Sequence, residues 1–455
     1  MKKILLLLVS CFLFSSIICS AQVRSKSVET DSITTVYFPL LANNNTRIFN
    51  WAINQVQKSV DGTTFAFYKL YLNSLNCKYS FFVPTDNFFS TYIDPIAYGQ
   101  DAPQGGLQFR YNATTNKVYA IVRTFNKNVN PPVFSDSIGV ITTEGLTTGQ
   151  ASVVEAFLQD RLWKILDSHL VEGDVESGNS YFVTKGNDLI KVNGTGTSMT
   201  VAGGYDLNEN TPSKVTAVFR QTNGSTYFID KPIQPALKSV YKVLSETQAF
   251  SSFYNLLNGV PDTCVYKIFS PQGVDFKINS FYTYQYTIYV PTNEALQAAI
   301  DQGLIKSWET IYALPSGPQQ ASEINKIVRF LRYHFQDEAV FFGQQTDGIF
   351  NSATIKNDNA STHFQSGKNH FYKIGVNGNE TSMTITTENN QTAHVVVANG
   401  LYNIIAKDFI FSKVPSYYKN MDGSGPSTGA AFITSSITTS SSVVIHQIDK
   451  ALTFQ

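Results

Sequence analysis

Two stretches alternate side chains along an extended register and then stop on the same residue types: Tyr79-Ser80-Phe81-Phe82-Val83-Pro84-Thr85-Asp86 and Tyr286-Thr287-Ile288-Tyr289-Val290-Pro291-Thr292-Asn293. In each, alternate positions (Tyr79, Phe81, Val83; Tyr286, Ile288, Val290) face one way, which predicts a strand. Pro84 and Pro291 end the ladder because proline has no N–H to donate. Thr85 and Thr292 are placed to cap a following helix, with Asp86 and Asn293 near its positive end. Elsewhere the period lengthens to that of a helix. Residues from Thr46 through Ile48, Ala52 and Val56 read helical, as do Phe67 to Leu72. Ser152 opens a helix whose stripe runs Val154, Leu158, Leu162, Ile165, Leu166 and His169, and Ile324, Ile327, Val328, Leu331 and His334 form a matching stripe. Shorter helices are expected over Ser239 to Leu244, Phe250 to Leu257, and Leu296 to Leu304.

These elements recur in one order. Short strands are expected at Tyr181–Val183, Ile190–Val192, Ser198–Val201 and Tyr227–Lys231. Val192-Asn193-Gly194 through Val201 is mirrored by Val376-Asn377-Gly378 through Ile385, and the closing Ile229-Asp230-Lys231 by Ile448-Asp449-Lys450. Repetition of this many ordered landmarks predicts a tandem duplication, with one copy over 46–234 and the other over 237–455. The first copy is longer between Pro84 and His169, where alternation at Val118, Ala120 and Val122 predicts an inserted hairpin about 102–138. The second is longer between His334 and its Asn-Gly turn. Insertions of that size are expected in surface loops. Residues 22–45 read as a leader, and the Gly/Ser/Thr-rich run 422–442 as a connector between strands.

Composition narrows the setting. A 455-residue chain exceeds one ordinary core, and 34 Lys+Arg against 34 Asp+Glu leave no concentrated positive charge for nucleic acid. Lys2-Lys3 followed by an apolar run too short to span a bilayer, then Cys19-Ser20-Ala21, reads as a signal peptide over 1–21. The mature chain would begin at Gln22 and carry no transmembrane segment; a lipid anchor on Cys19 or Cys11 is the alternative. Cys77 and Cys264 lie in different copies and are expected as buried free thiols, with pairing left open.

The junction Phe82 to Asp86 (and Tyr289 to Asn293), the segment Leu331-Arg332-Tyr333-His334-Phe335, and the closing Ile445-His446-Gln447-Ile448-Asp449 together resemble the signature of the fasciclin-like family. The first copy departs from it, with Ser168 where Tyr333 stands and Tyr227-Phe228 in place of Ile445-His446. The resemblance implies an α+β fold: two tandem fasciclin-like domains, each a compact β wedge or sandwich packed with several short helices. It implies a non-catalytic extracellular adhesion protein, secreted or held at the cell surface, that contacts other proteins, matrix or polysaccharide. By the same resemblance Tyr333 and His334, with His169 as the counterpart, are candidate partner contacts. A hydrogen-bonded packing role at the core edge is the other reading of both histidines. No cofactor is implied.

Two further functions stay open. A carbohydrate-binding component of an envelope uptake system would stack sugar rings on aromatics such as Tyr111, Tyr119 or Tyr417-Tyr418. A hydrolase would need a nucleophile, base and oxyanion donor together, and no motif supplies them. Ser239-Val240-Tyr241-Lys242 fits Ser-x-x-Lys, but helical spacing explains it as well. Asp174, Glu176 and Asn179, and Asp206, Asn208 and Asn210, lack the register of a calcium loop, while His363 and His370 are too far apart for a familiar zinc pair. Asn-x-Ser/Thr sites at Asn112, Asn193, Asn223, Asn379 and Asn390 matter only in a host that glycosylates.

Overall fold

The strand Tyr79–Pro84 lies between a parallel neighbour, Gly224–Ile229, and an antiparallel one, Leu170–Glu172. The strand Tyr286–Pro291 has the same surroundings, Ser442–Ile448 parallel and Phe335–Asp337 antiparallel. The structure is a computed structural model that describes residues 33–58, 62–94, 106–126, 133–176, 179–260, 266–268, 276–278, 285–356, 370–408 and 442–454. The expected signal segment, Cys11, Cys19, Cys264, His363, Tyr417-Tyr418 and all of the 422–442 run but its last residue lie outside them.

Both junction strands are buried at every position, so the expected alternation does not separate an inner from an outer face. Tyr79, Phe81 and Val83 enter a helix-covered core, while Phe82 enters a second core on the other side of the sheet. Tyr286, Ile288 and Val290 are likewise divided from Tyr289. A strand covered on both faces needs apolar residues on both, which is why these runs are nearly continuous. Their polar members are satisfied internally: Ser80 Oγ donates to Gly173 O at 2.8 Å and Thr287 Oγ1 to Glu338 O at 2.9 Å.

The first sheet has seven strands, running from Leu170–Glu172 through Tyr79–Pro84, Gly224–Ile229, Ser213–Gln221, Thr200–Ala202 and Leu189–Asn193 to Ser180–Val183. The second has eight. From Tyr286–Pro291 it passes through Phe335–Asp337, Thr346–Ile355, Phe371–Gly378, Met383–Thr387 and Thr392–Val396 to Ser442–Ile448, which pairs again with the starting strand and closes a ring. Ile404–Lys407 lies outside it on Ser442–Ile448. Val192 pairs with Val201 and Val376 with Ile385, the register that the mirrored sequence implies. At the start of the first parallel pair only glycine fits. Gly224 has φ +139°, and a Cβ there would stand 2.0 Å from Tyr79 O.

Several expectations change. The leader is folded from about residue 34, because Val36, Tyr37 and Leu40 are buried and Phe38–Leu41 is a helical turn. Buried Asn223 ties this segment down: its Oδ1 accepts from Val36 N at 2.8 Å, and its Nδ2 donates to Leu72 O and Ser74 O, each at 2.8 Å. The first helix, Arg47–Ile53, stops before exposed Val56. The insertion is not one surface hairpin but a three-stranded meander, Gly106–Asn112, Lys117–Asn126 and Val133–Ile141. Its Leu107, Phe109, Val118, Ala120, Val122 and Ile141 join the first core, so it extends the interior rather than decorating the surface. The long helix spans Thr148–Ser168, one turn earlier than Ser152, because Gln150 Oε1 reaches back to Thr147 N at 3.1 Å. Cys77, expected to be buried, is a free and exposed thiol.

The two sheets meet along a narrow, specific seam. Leu189 and Ala236 pack on Ile405 and Val444. Asn208 bonds both ways with the Ile405 backbone (2.8 and 3.0 Å), and Leu189 N donates to Ser442 Oγ at 3.1 Å. Gly204 belongs to the same contact, since a Cβ there would come within 2.8 Å of Ile405 and 2.9 Å of Ala236. An ion pair between Lys407 Nζ and Asp188 Oδ1 is sealed inside the seam, with both side chains almost wholly buried.

Candidate functional site

The Tyr-His segment, a candidate partner contact by resemblance and a packing element by the other reading, lies inside the protein. Tyr333, His334 and His169 are each 0% exposed. In both histidines Nδ1 lies against the carbonyl four residues earlier, Ile165 O at 2.7 Å and Phe330 O at 2.9 Å. Nε2 of each accepts a backbone N–H from just beyond the closing strand, Ile233 N at 2.9 Å and Leu452 N at 3.0 Å. An acceptor at Nε2 requires the neutral ring with its proton on Nδ1. Burial accordingly pushes both imidazoles down to about 4. Each also meets a phenyl ring on the helix that precedes the junction, Phe49 at 5.5 Å and Phe253 at 5.7 Å. Tyr333 OH donates to Lys373 O (2.8 Å) and accepts from Glu388 N (3.0 Å).

The junction residues are also structural, in a way the local sequence does not indicate. Asp86 does not serve the turn it begins. Its two oxygens accept from Arg47 N and Ile48 N at 2.9 and 3.0 Å, capping the helix Arg47–Ile53 from a distance. Asn293 Oδ1 does the same for Ser252 N at 3.1 Å, at the start of the helix Ser251–Asn258. Thr292 also caps its own helix Asn293–Asp301 through Ala295 N at 3.1 Å. Thr85 makes no such bond and leads only into a short 3-10 turn, Asp86–Thr91. At the closing strand Asp449 Oδ1 accepts from His394 N at 2.7 Å, as Asp230 Oδ1 accepts from Lys214 N at 2.8 Å. Ile445 and Ile448 are core residues, and His446 Nε2 bonds Val340 O at 3.0 Å inside the second sheet.

The residues considered for chemistry are occupied by structure as well. Ser239 caps the helix Val240–Glu246 by accepting from Lys242 N at 3.1 Å, which accounts for the Ser-x-x-Lys spacing. Glu176 holds Arg220 through both oxygens at 2.8 Å. Buried Asp206 receives Lys231 Nζ at 2.9 Å together with Gly203 N and Gln234 N. Among the described residues no three His, Cys, Asp or Glu side chains come together as a metal cluster, and no helix is long and apolar enough to cross a membrane.

A groove of about 1040 Å³ opens where the sheets meet, just above the usual range of small-ligand sites. Sequence reasoning did not find it, because its walls come from segments far apart in the chain. Asn403, held at φ +53°, stitches it together: its Nδ2 donates to Tyr181 OH (3.2 Å) and Phe342 O (2.9 Å), and its Oδ1 accepts from Phe342 N (2.8 Å). Tyr181 stacks on Phe341 across the seam, ring centroids 3.8 Å apart, and Phe342 on Tyr402 at 3.9 Å. Lys191 Nζ stands 5.4 Å from the Tyr181 centroid, and no carboxylate among the described residues lies within ion-pair reach of it. Burial lowers its ammonium pKa. Among the sequence-proposed aromatics, Tyr111 lies under Arg47 instead (5.6 Å) and takes no part in the groove.

No protein-family model and no curated protein matches the chain. Among solved structures it is similar to a FAS1 domain pair from the insect cell adhesion molecule fasciclin I, at 14% identity and a TM-score of 0.24, over 67% of this chain and 85% of that one. Likeness at that level says nothing about function.

Proposed function

We propose that the chain is an exported, non-catalytic binding protein made of two fasciclin-like copies, about 34–234 and 237–455, that adheres to extracellular protein, matrix or polysaccharide. One observation carries this reading: both copies commit the same histidine, Asx and closing aspartate to equivalent hydrogen bonds with their own backbone. Groups used to hold backbone segments together are not free to transfer protons to a substrate. The groove favours polysaccharide within that range of partners, and keeps a sugar-binding role in envelope uptake as the second reading.

Beads coated with residues 22–455 should adhere to surfaces of matrix protein or polysaccharide above the level of uncoated beads, and a broad esterase and glycosidase screen should stay at background. Turnover of any ester or glycoside at stoichiometric enzyme would sink the non-catalytic reading. Mass spectrometry of the native N-terminus should find Gln22; a lipidated cysteine there would make the protein tethered rather than released.

A further inference from the structure

We propose that the groove between the two sheets is the binding site, and that it takes an oligosaccharide carrying a carboxylate. The inference rests on the binding-protein reading above and adds the place and the chemistry. Three features point the same way. Lys191 lies on the strand Leu189–Asn193, with its ammonium over the Tyr181 ring, 5.4 Å from the centroid. It is half-buried and has no ion-pair partner among the described residues, so it gains from an incoming anion what a solvated surface lysine does not. Tyr402 is 43% exposed while one face of its ring is fixed against Phe342, which leaves a rigid apolar platform of the kind that stacks on the C–H face of a sugar. Around these two, Asn179 and Gln345 line the groove with uncharged donors and acceptors suited to hydroxyl groups.

The walls are preorganised. Asn403 and the Tyr181–Phe341 stack join residues of both copies, and Gln344 Nε2 reaches Asn179 O at 3.3 Å, so little ordering remains for a ligand to impose. Only one acidic side chain, Glu380, lines the opening among the described residues. A peptide with an acidic side chain would meet the same lysine but would leave the amide-lined walls without hydroxyl partners, and it serves as the competing probe.

The test uses the mature chain, residues 22–455, in calorimetric titrations with a galacturonate tetrasaccharide, its fully methyl-esterified form, and a short acidic peptide. The galacturonate should bind more tightly than the ester, and the peptide should bind more weakly than either. Lys191→Met should weaken the galacturonate at least about tenfold and leave the ester unchanged, as loss of a charge-assisted bond requires. Tyr402→Ala should weaken both saccharides several-fold. Lys191→Gln, with an unchanged denaturation midpoint, separates lost charge from lost fold. Equal binding of acid and ester, binding that both substitutions leave intact, or a preference for the peptide would each overturn the proposal. If the beads still adhere while the groove variants change nothing, the groove assignment falls and the adhesion reading stands. If the beads do not adhere but galacturonate binding depends on Lys191, the reverse holds.

Discussion

The two sheets share a frame and differ in what is hung on it. Both centre on a buried strand ending in proline, flanked by one parallel and one antiparallel neighbour, and both tie the chain beyond the closing strand to a neutral histidine. The first sheet stays open and gains a meander that widens its helix-side core. The second closes on itself and gains an outer strand, Ile404–Lys407, which delivers Lys407 and Asn403 to the seam. Repeated features are hydrogen bonds between segments distant in sequence. Divergent features are apolar surface and sheet edges. A frame fixed by a few directional bonds can take large additions, because the added elements need only cover apolar area.

The severest break in this comparison is at the seam, where the first sheet's side supplies the anion and the second's the cation. Lys407→Met leaves Asp188 buried and uncompensated and should cost about 3–5 kcal/mol in urea unfolding. Adding Asp188→Leu should recover most of that loss; no recovery would mean that the pair is not what joins the two sheets.

Acid probes the buried neutral histidines, of which His169 and His334 are equivalent in the two sheets and His446 belongs to the second alone. His169, His334 and His446 titrate at about 4 when folded, below their ordinary 6.5. Between those values the unfolded chain binds more protons, so their stabilisation is complete above about 6.5 and drains away as pH falls toward 4. The loss is on the order of 3 kcal/mol for each histidine. His169→Phe and His334→Phe should each flatten the slope in that window, and a slope unchanged in both would refute the neutral clamp.

Smaller effects sharpen the comparison. Asp86→Ala and Asn293→Ala should each lower stability by about 1 kcal/mol, because each uncaps a helix earlier in the chain. Hydrogen exchange should speed up at the start of Arg47–Ile53 and of Ser251–Asn258 respectively, not in the residues after the junction. The least effect separates the two threonines: Thr292→Val should cost about 0.5–1 kcal/mol, and Thr85→Val close to nothing.

Much of this frame is legible in the chain. The proline-terminated strands, the helical stripes ending at His169 and His334, and the paired Val192–Val201 and Val376–Ile385 registers all follow from local periodicity. What the sequence conceals is distance. Asp86 looks like the start of its own helix because capping residues are sought nearby, yet its partners are Arg47 and Ile48. Val36 and Leu40 sit in a seven-residue apolar run, Val36 to Ala42, that proline interrupts and that is too short to show a period, so the leader hides its buried residues. The groove could not be read at all, since Tyr181, Lys191, Phe342 and Tyr402 converge only when two sheets meet.

Asn223, finally, constrains how the protein can be made. It begins an Asn-Gly-Ser sequon, yet in the folded chain it is 1% exposed and its amide holds Val36 N of the N-terminal segment together with Leu72 O and Ser74 O. A eukaryotic secretory pathway that transferred a glycan there during synthesis would block that segment from docking. Bacterial expression, or Asn223 left unmodified by a Ser225→Ala change, is the route to native material.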